Sequence, residues 1–133
     1  MRVLGIDYGS KRVGIALSDE GGEFAIPIIV LKNSKDLLKE VIDIAKKNLV
    51  INIVIGESRN YKGEANKILN ESLEFKKRLE DSGFIVHLEP EFMTSMNAER
   101  FQGKIDMLDA SAAALILQSY LDKDNLLNNS QKD

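Results

Sequence analysis

Three apolar runs open the chain with room for nothing but turns between them. Val3, Leu4 and Ile6 make the first, and Val13, Ile15, Ala16 and Leu17 the second. Phe24, Ile26, Ile28, Ile29, Val30 and Leu31 make the third. Gly9 and Ser10 separate the first pair, and Asp19, Glu20, Gly21 and Gly22 the second. Short apolar runs bounded by such turn residues read as strands. Strands joined this tightly pair antiparallel, because a parallel neighbour needs a long crossover. The chain therefore begins as a three-stranded meander, with Pro27 placing the third strand at a sheet edge.

From Asn33 onward the pattern changes to helices alternating with strands. Asn33 or Ser34 is expected to cap a helix in which Leu37, Leu38, Val41, Ile42, Ile44, Ala45 and Leu49 recur at helical spacing. Ile51, Ile53, Val54 and Ile55 predict a fourth strand ending at Gly56 and Glu57, followed by a polar loop over residues 58–63. A second helix carries Ala65, Ile68, Leu69, Leu73, Phe75 and Leu79 inward and stops at Gly83, a C′ glycine. Residues 84–88 predict a fifth strand, which leads into Glu89, Pro90, Glu91 and Phe92. A short helix is expected from Thr94 or Ser95 to Phe101, and a last one from about Asp106 to Tyr120 or Leu121. This order specifies an α/β fold: a mixed five-stranded sheet, three antiparallel strands plus two parallel ones, flanked by helices on both faces. Right-handed crossovers put strand four beside strand one and strand five beyond it. The ends of strands one, four and five are where Asp7, Glu57 and Glu91 fall.

Size and composition bound the rest. A chain of 133 residues supports one domain, read as residues 1–122 with a flexible polar tail over 123–133. It has no cysteine, which excludes disulfide and thiolate metal chemistry and fits a reducing cytoplasm. No apolar run reaches the ~18–20 residues that span a membrane. The net charge of −3 argues against a large phosphate-contacting surface, although a carboxylate-rich metal site lowers net charge for its own reasons.

The acids are the chemistry-bearing residues. Asp7 ends an apolar strand, where a carboxylate is costly to desolvate unless a metal ion or backbone donors compensate. It reads as a ligand or as a turn-former. Asp106 and Asp109, three apart on one helix, share a face. Either could cap the helix and complement its dipole or ligate metal. The alanines at 110, 112, 113 and 114 argue for a close approach of that helix to the sheet. Glu57 and Glu91 read as ligands or as solvated loop acids. Lys11, Arg12, Arg59 and Lys62 are candidate phosphate contacts or plain surface charges. Tyr8 and Tyr61 could stack on bases or pack at the core edge. His87 is expected on the sheet surface, and Met93 and Met96 in the core.

The segments at the two ends carry a resemblance. GIDYGSKRVGIALSD, residues 5–19, and DASAAALILQSYL, residues 109–121, are similar to the N-terminal signature and C-terminal helix of the YqgF/RuvX family of the ribonuclease H-like superfamily. The middle departs from the family pattern. Gly56-Glu57-Ser58-Arg59 stands where the family has Gly-Leu-Pro-Leu, and Pro90-Glu91-Phe92-Met93-Thr94-Ser95 where it has Asp-Glu-Arg-Leu-Thr-Thr.

The resemblance implies an endonuclease that cuts structured nucleic acid, a Holliday junction or pre-16S rRNA, with Mg²⁺ or Mn²⁺ held by Asp7, Asp109 and a third acid. Related resolvases of the same fold have that acid at the end of strand four, here Glu57, whereas family members use the acid after strand five, here Glu91. Asp106 and Glu91 complete the candidate catalytic set. Glu57 is set ahead of Glu91 because strand four adjoins strand one. Lys11, Arg12, Arg59, Lys62, Thr94 and Ser95 are the candidate substrate contacts. Junction resolution requires two cuts and so a homodimer; a processing nuclease can act as a monomer. Two other classes compete. One is an inactive binding module of the same fold. The other is an actin-like ATPase or sugar kinase, whose first phosphate loop also resembles Gly5 to Ser10 but which needs two such domains.

Overall fold

Five strands form one sheet in the order β3-β2-β1-β4-β5. The computed structural model describes residues 1–58, 67–91 and 105–131, with 58, 91, 105–109 and 128–131 placed by backbone alone. Its elements are β1 (Val3–Tyr8), β2 (Arg12–Ser18), β3 (Ala25–Lys32), α1 (Leu37–Lys47), β4 (Asn52–Ser58), α2 (Lys67–Asp81), β5 (Ile85–Glu91) and α3 (Ile105–Gln131). β1, β2 and β3 pair antiparallel, as the tight turns require. β4 runs parallel to β1, and β5 parallel to β4. The sheet is the mixed one expected from the sequence, with β4 beside β1.

Alternation along the strands divides the core in two. Leu4 and Ile6 of β1, Val13 and Ile15 of β2, and Ile53 and Ile55 of β4 point to the side covered by α1 and α2, where they meet Leu37, Val41, Ala45, Phe75 and Leu79. Val3, Ala16 and Val54 point to the other side and meet Ala113, Ile116, Leu117 and Leu121 of α3. That second layer is thin because α3 presses on β1. A Cβ built at Gly5 would lie 2.7 Å from the Leu117 Cβ and 3.1 Å from the Ala113 carbonyl oxygen. The close approach expected from the alanines is present, and a glycine on the strand completes it.

Polar side chains tie α3 to the β2–β3 end. The Ala25 N–H donates to Gln118 Oε1 at 2.9 Å, while Gln118 Nε2 donates to the Glu23 carbonyl at 2.8 Å. Asn125 Nδ2 donates to the Gly22 carbonyl at 3.1 Å. The helix thus runs on to Gln131, well past the expected end at Tyr120 or Leu121.

Other boundaries shift for local reasons. α1 begins at Leu37 with Asp36 at its N-cap and no side-chain cap. The Ser34 hydroxyl instead accepts from the Asp36 N–H at 3.2 Å, ordering the turn before the helix. Leu49 is not a core residue: it has φ 58° and is 83% exposed, because the helix ends at Lys47 and the chain reverses into β4. Leu73 likewise sits on the rim of α2 rather than inside it. Gly83, at φ 102°, ends the α2 region as expected. β5 extends through Glu89 and Pro90 to Glu91, which is possible for proline on an edge strand. The polar loop after β4, Ala65 and the short helix expected over residues 94–101 lie outside the described residues, with Tyr61, Met93 and Met96.

Two outcomes follow. Gly5→Ala should destabilise by about 1–3 kcal/mol, the usual cost of overpacking against atoms that cannot move aside, read as a lower urea midpoint. Asp19 Oδ1 accepts from the Glu23 and Phe24 N–H groups at 2.8 and 3.1 Å. The Phe24 bond, then the Glu23 bond, holds its carboxyl below the ordinary 3.8. A depressed folded value means the contribution is present above the unfolded value and lost as pH falls through the folded one. The stability difference between wild type and Asp19→Asn should therefore be flat above about pH 5 and shrink below pH 4; a difference that persists at pH 2 would contradict this.

Candidate active site

Asp7 stands at the centre of the sheet, half-buried, on the face covered by α3. Gly5 and Val3 precede it on that face, and Asp7 continues the series by alternation. Its partner across the antiparallel pair is Gly14. On the other side Ile6 pairs with Ile55, so the next position of β4, Gly56, comes level with Asp7. The carboxylate is therefore flanked on both neighbouring strands by residues without side chains.

The helix overhead can be placed against it by register. Gly5 lies under Ala113 and Leu117. Two residues along a strand cover about 6.7 Å, and four residues back along a helix cover about 6 Å. Position 109 thus comes level with Asp7, and position 106 lies one turn nearer the start of α3. Both belong to α3, and their side chains lie outside the described residues.

The two glutamates separate by face. Glu57 follows Ile53 and Ile55 in the series that points toward α1 and α2. It falls one position past the slot beside Asp7, level with Tyr8, whose ring packs on Phe75 at 5.4 Å between centroids. The expected nearness of Glu57 to Asp7 runs against this register, since a one-residue offset changes the face. Position 91 is two residues past Glu89 and four past His87, both of which meet α3. It closes β5, opposite Ser58. Among the described residues no group of three acids or histidines gathers around one point.

Two residues on the same face were not flagged as functional by the sequence. Glu89 is 4% exposed, and its Oε1 accepts from the Ser119 hydroxyl at 2.9 Å and the Lys123 ammonium at 2.5 Å. It is level with Gly56, two strands from Asp7, and anchors α3 to the β5 side of the sheet. Lys32 faces Arg12 across the β2–β3 pair. His87 lies on the sheet surface as expected, with Nε2 3.1 Å from Asn52 Oδ1 and its ring 5.1 Å from Tyr120. Burial, with the charges of Asp124 and Glu89, raises the Tyr120 hydroxyl above its ordinary 10.0.

Lys11 and Arg12 are exposed at the turn after β1. That turn is fixed: Asn33 Nδ2 donates to the Gly9 carbonyl at 2.7 Å and the Asn33 N–H to the Lys11 carbonyl at 2.9 Å. A Cβ at Gly9 would lie 2.5 Å from the Arg12 carbonyl oxygen. Arg59, Lys62, Thr94 and Ser95 lie outside the described residues.

Comparison with known proteins settles the lineage. The family model described as "RuvX: Holliday junction resolvase" matches residues 1–123. The chain belongs to the RuvX family. A "Putative pre-16S rRNA nuclease" of Ruminiclostridium cellulolyticum is 35% identical, with 92% of this chain and 95% of that protein covered. One of the same name from Caldanaerobacter subterraneus subsp. tengcongensis is 36% identical over 92% of this chain and 96% of its own length. Among solved structures, RuvC of T. thermophilus in complex with a Holliday junction substrate aligns with TM-score 0.58 at 17% identity, covering 91% and 94% of the two chains. The fowlpox virus resolvase bound to Holliday junction DNA aligns with TM-score 0.60 at 12% identity, covering 92% and 98%. At these identities the RuvX-family chain shares their fold, which is ribonuclease H-like.

The Glu89 anchor can be tested alone. Lys123→Met leaves a buried carboxylate with one hydroxyl donor and should cost about 1–2 kcal/mol, at the low end for a charged hydrogen bond because Lys123 stays largely in solvent. Glu89→Leu combined with Lys123→Met should recover most of that loss. Urea unfolding of the three variants checks both statements.

Proposed function

We propose that this chain is a divalent-metal-dependent endonuclease hydrolysing phosphodiester bonds in structured nucleic acid. The observation that carries the reading is Asp7, held at mid-sheet between Gly14 and Gly56, below the first turns of α3, in a chain of the RuvX family. Precursor ribosomal RNA is the favoured substrate. Relatives at 35–36% identity are named for it, whereas the junction-bound structures share 12–17%. Branched DNA is the other substrate, and cutting it at two symmetric points would call for a homodimer.

The donors proposed for the metal are Asp7, Glu91 and Asp109, with Asp106 beside them. All are carboxylates, which suit hard cations such as Mg²⁺ or Mn²⁺. The glycines beside Asp7 leave no strand side chain to crowd the ligands. When bound, the metal supplies a Lewis acid for the phosphoryl oxygens and lowers the pKa of coordinated water. The chain's own part is to hold the carboxylates on rigid elements and to bring a polyanion toward them. Lys11 and Arg12, on a turn braced by Asn33, offset the repulsion between substrate phosphates and the acids. Arg59, Lys62, Thr94 and Ser95 are the remaining proposed contacts. Glu57, on the opposite face by register, is assigned a minor part. The absence of cysteine fits action in the cytoplasm.

The test uses precursor 16S rRNA and a four-way DNA junction, each with Mg²⁺, Mn²⁺ or EDTA. Cleavage that requires the cation, and its loss in Asp7→Asn with melting temperature level or higher, is the expected result. Single-turnover rates should fall at least ~100-fold in Glu91→Gln, since a ligand displaced by about an ångström already costs that much. Glu57→Gln should stay within a few-fold of wild type. The reverse order would return Glu57 to the ligand set. Binding of either substrate without cleavage under any condition would favour the inactive module.

A further inference from the structure

The strand pair β2–β3 ends in an arrangement that stability does not explain. Arg12 and Lys32 are directly opposed in the antiparallel register. Their neighbours Val13 and Leu31 are buried on the α1 side, so alternation puts both cations on the Asp7 face. Both are exposed, as is Lys11 beside them, and none of the three forms an ion pair among the described residues. Like charges directly opposite one another destabilise a pair of strands. These residues line an open depression of about 680 Å³ with Val30 and Leu31, on a turn whose Gly9 and Lys11 carbonyls are already engaged by Asn33.

Two rows from this pair, the next on the same face, Val30, Gly14 and Asp7 are joined. Arg12 is two residues along β2 from Gly14, so its Cα lies roughly 8 Å from that of Asp7 by strand geometry, and Lys32 one strand further out. We propose that Arg12, Lys32 and Lys11 form a second phosphate subsite, which holds backbone phosphates next to the bond positioned at Asp7. The ligand is a run of consecutive phosphodiesters, read without regard to sequence, and it fixes that the substrate strand leaves the site across β3. This rests on the nuclease reading above and adds the path of the strand. Lys32 on an edge strand has a competing role as a guard against strand pairing between molecules, and that role predicts a different outcome.

The experiment measures binding of a labelled precursor-rRNA hairpin and a labelled four-way junction by anisotropy from 50 to 300 mM KCl. It uses the full chain with Asp7→Asn as parent, so that binding is read without cleavage. Arg12→Gln and Lys32→Gln should each weaken binding and each lower the slope of log K against log salt by about 0.7–0.9, the release expected per lost phosphate contact. Lys39→Gln and Lys47→Gln, which change net charge equally from α1, should leave the slope unaltered. With Asp7 intact, Lys32→Gln should raise KM several-fold with kcat within two-fold. An unchanged slope in the Arg12→Gln/Lys32→Gln double variant, or an equal fall in the α1 controls, overturns the subsite. So does aggregation of Lys32→Gln with unaltered salt dependence, which identifies the edge guard. If wild type cleaves while the double variant binds normally, only the subsite fails. If the parent binds neither probe and wild type cleaves neither, the nuclease reading falls and the subsite with it.

Discussion

The contact between α3 and Gly5 sets the geometry of the whole α3 side. With Leu117 and the Ala113 carbonyl resting where a side chain would be, the helix sits on the backbone of β1 rather than on a layer of side chains. Close-packed interiors transmit such constraints with little slack. One turn beyond this contact lies the part of α3 that carries Asp109, so the depth of the helix at Gly5 fixes how near that turn comes to Asp7. Gln118, Asn125, Ser119 and Lys123 then hold the far half of the helix to the sheet on its β3 and β5 sides. A helix clamped along its length has one position, and metal-dependent chemistry needs its ligands in one position.

Much of this was legible from local pattern. Tight turns at Gly9 and at Gly21-Gly22 forced an antiparallel meander, and the later alternation of helix and strand forced parallel crossovers. The alanines of α3 announced close packing, although its partner Gly5 was not recognised as the other half of the contact. What local pattern missed was set by neighbours distant in sequence. Leu49 fits a helical stripe, yet the return to β4 takes it into the left-handed region and out of the core. Pro90 reads as a loop residue, yet β4 supplies a partner strand that carries β5 on to Glu91. Asp122 to Gln131 look like a polar tail, yet Lys123 meets Glu89 and Asn125 meets Gly22.

Glu57 shows the limit most sharply. A glutamate closing the strand beside Asp7 is an obvious second ligand when only strand order is known. Which face it takes depends on the pairing of Ile6 with Ile55, a relation between residues far apart that no window of sequence contains. The residue beside Asp7 is Gly56, and the acid comes one place too late. Alternation along β5 puts position 91 in the series of His87 and Glu89, which meet α3. Lys32 went unnoticed for a similar reason: a lysine ending a strand is unremarkable until Arg12 is found opposite it.

The two faces of the sheet have divided stability from chemistry. On the α1 and α2 side the described core is built from branched aliphatic residues with Phe75, and Ser72 of α2 is its buried polar residue. Its buried hydroxyl is satisfied within the helix, where Ser72 Oγ donates to the Leu69 carbonyl at 2.8 Å. On the α3 side the core residues of the central strands are small, Val3, Gly5, Ala16 and Val54, and polar groups are admitted where a partner exists: Ser18 accepts from the Val3 N–H, and Glu89 takes Ser119 and Lys123. Desolvating a carboxylate there is offset at Glu89 by a hydroxyl and an ammonium. A divalent cation would do the same for the acids proposed around Asp7, at a point where Gly14 and Gly56 give it room. The apolar side supplies the rigidity that the cluster of like charges proposed for the α3 side would need. Removing that support by a cavity under Ile6 would loosen Asp7 from behind, without touching any residue that meets substrate.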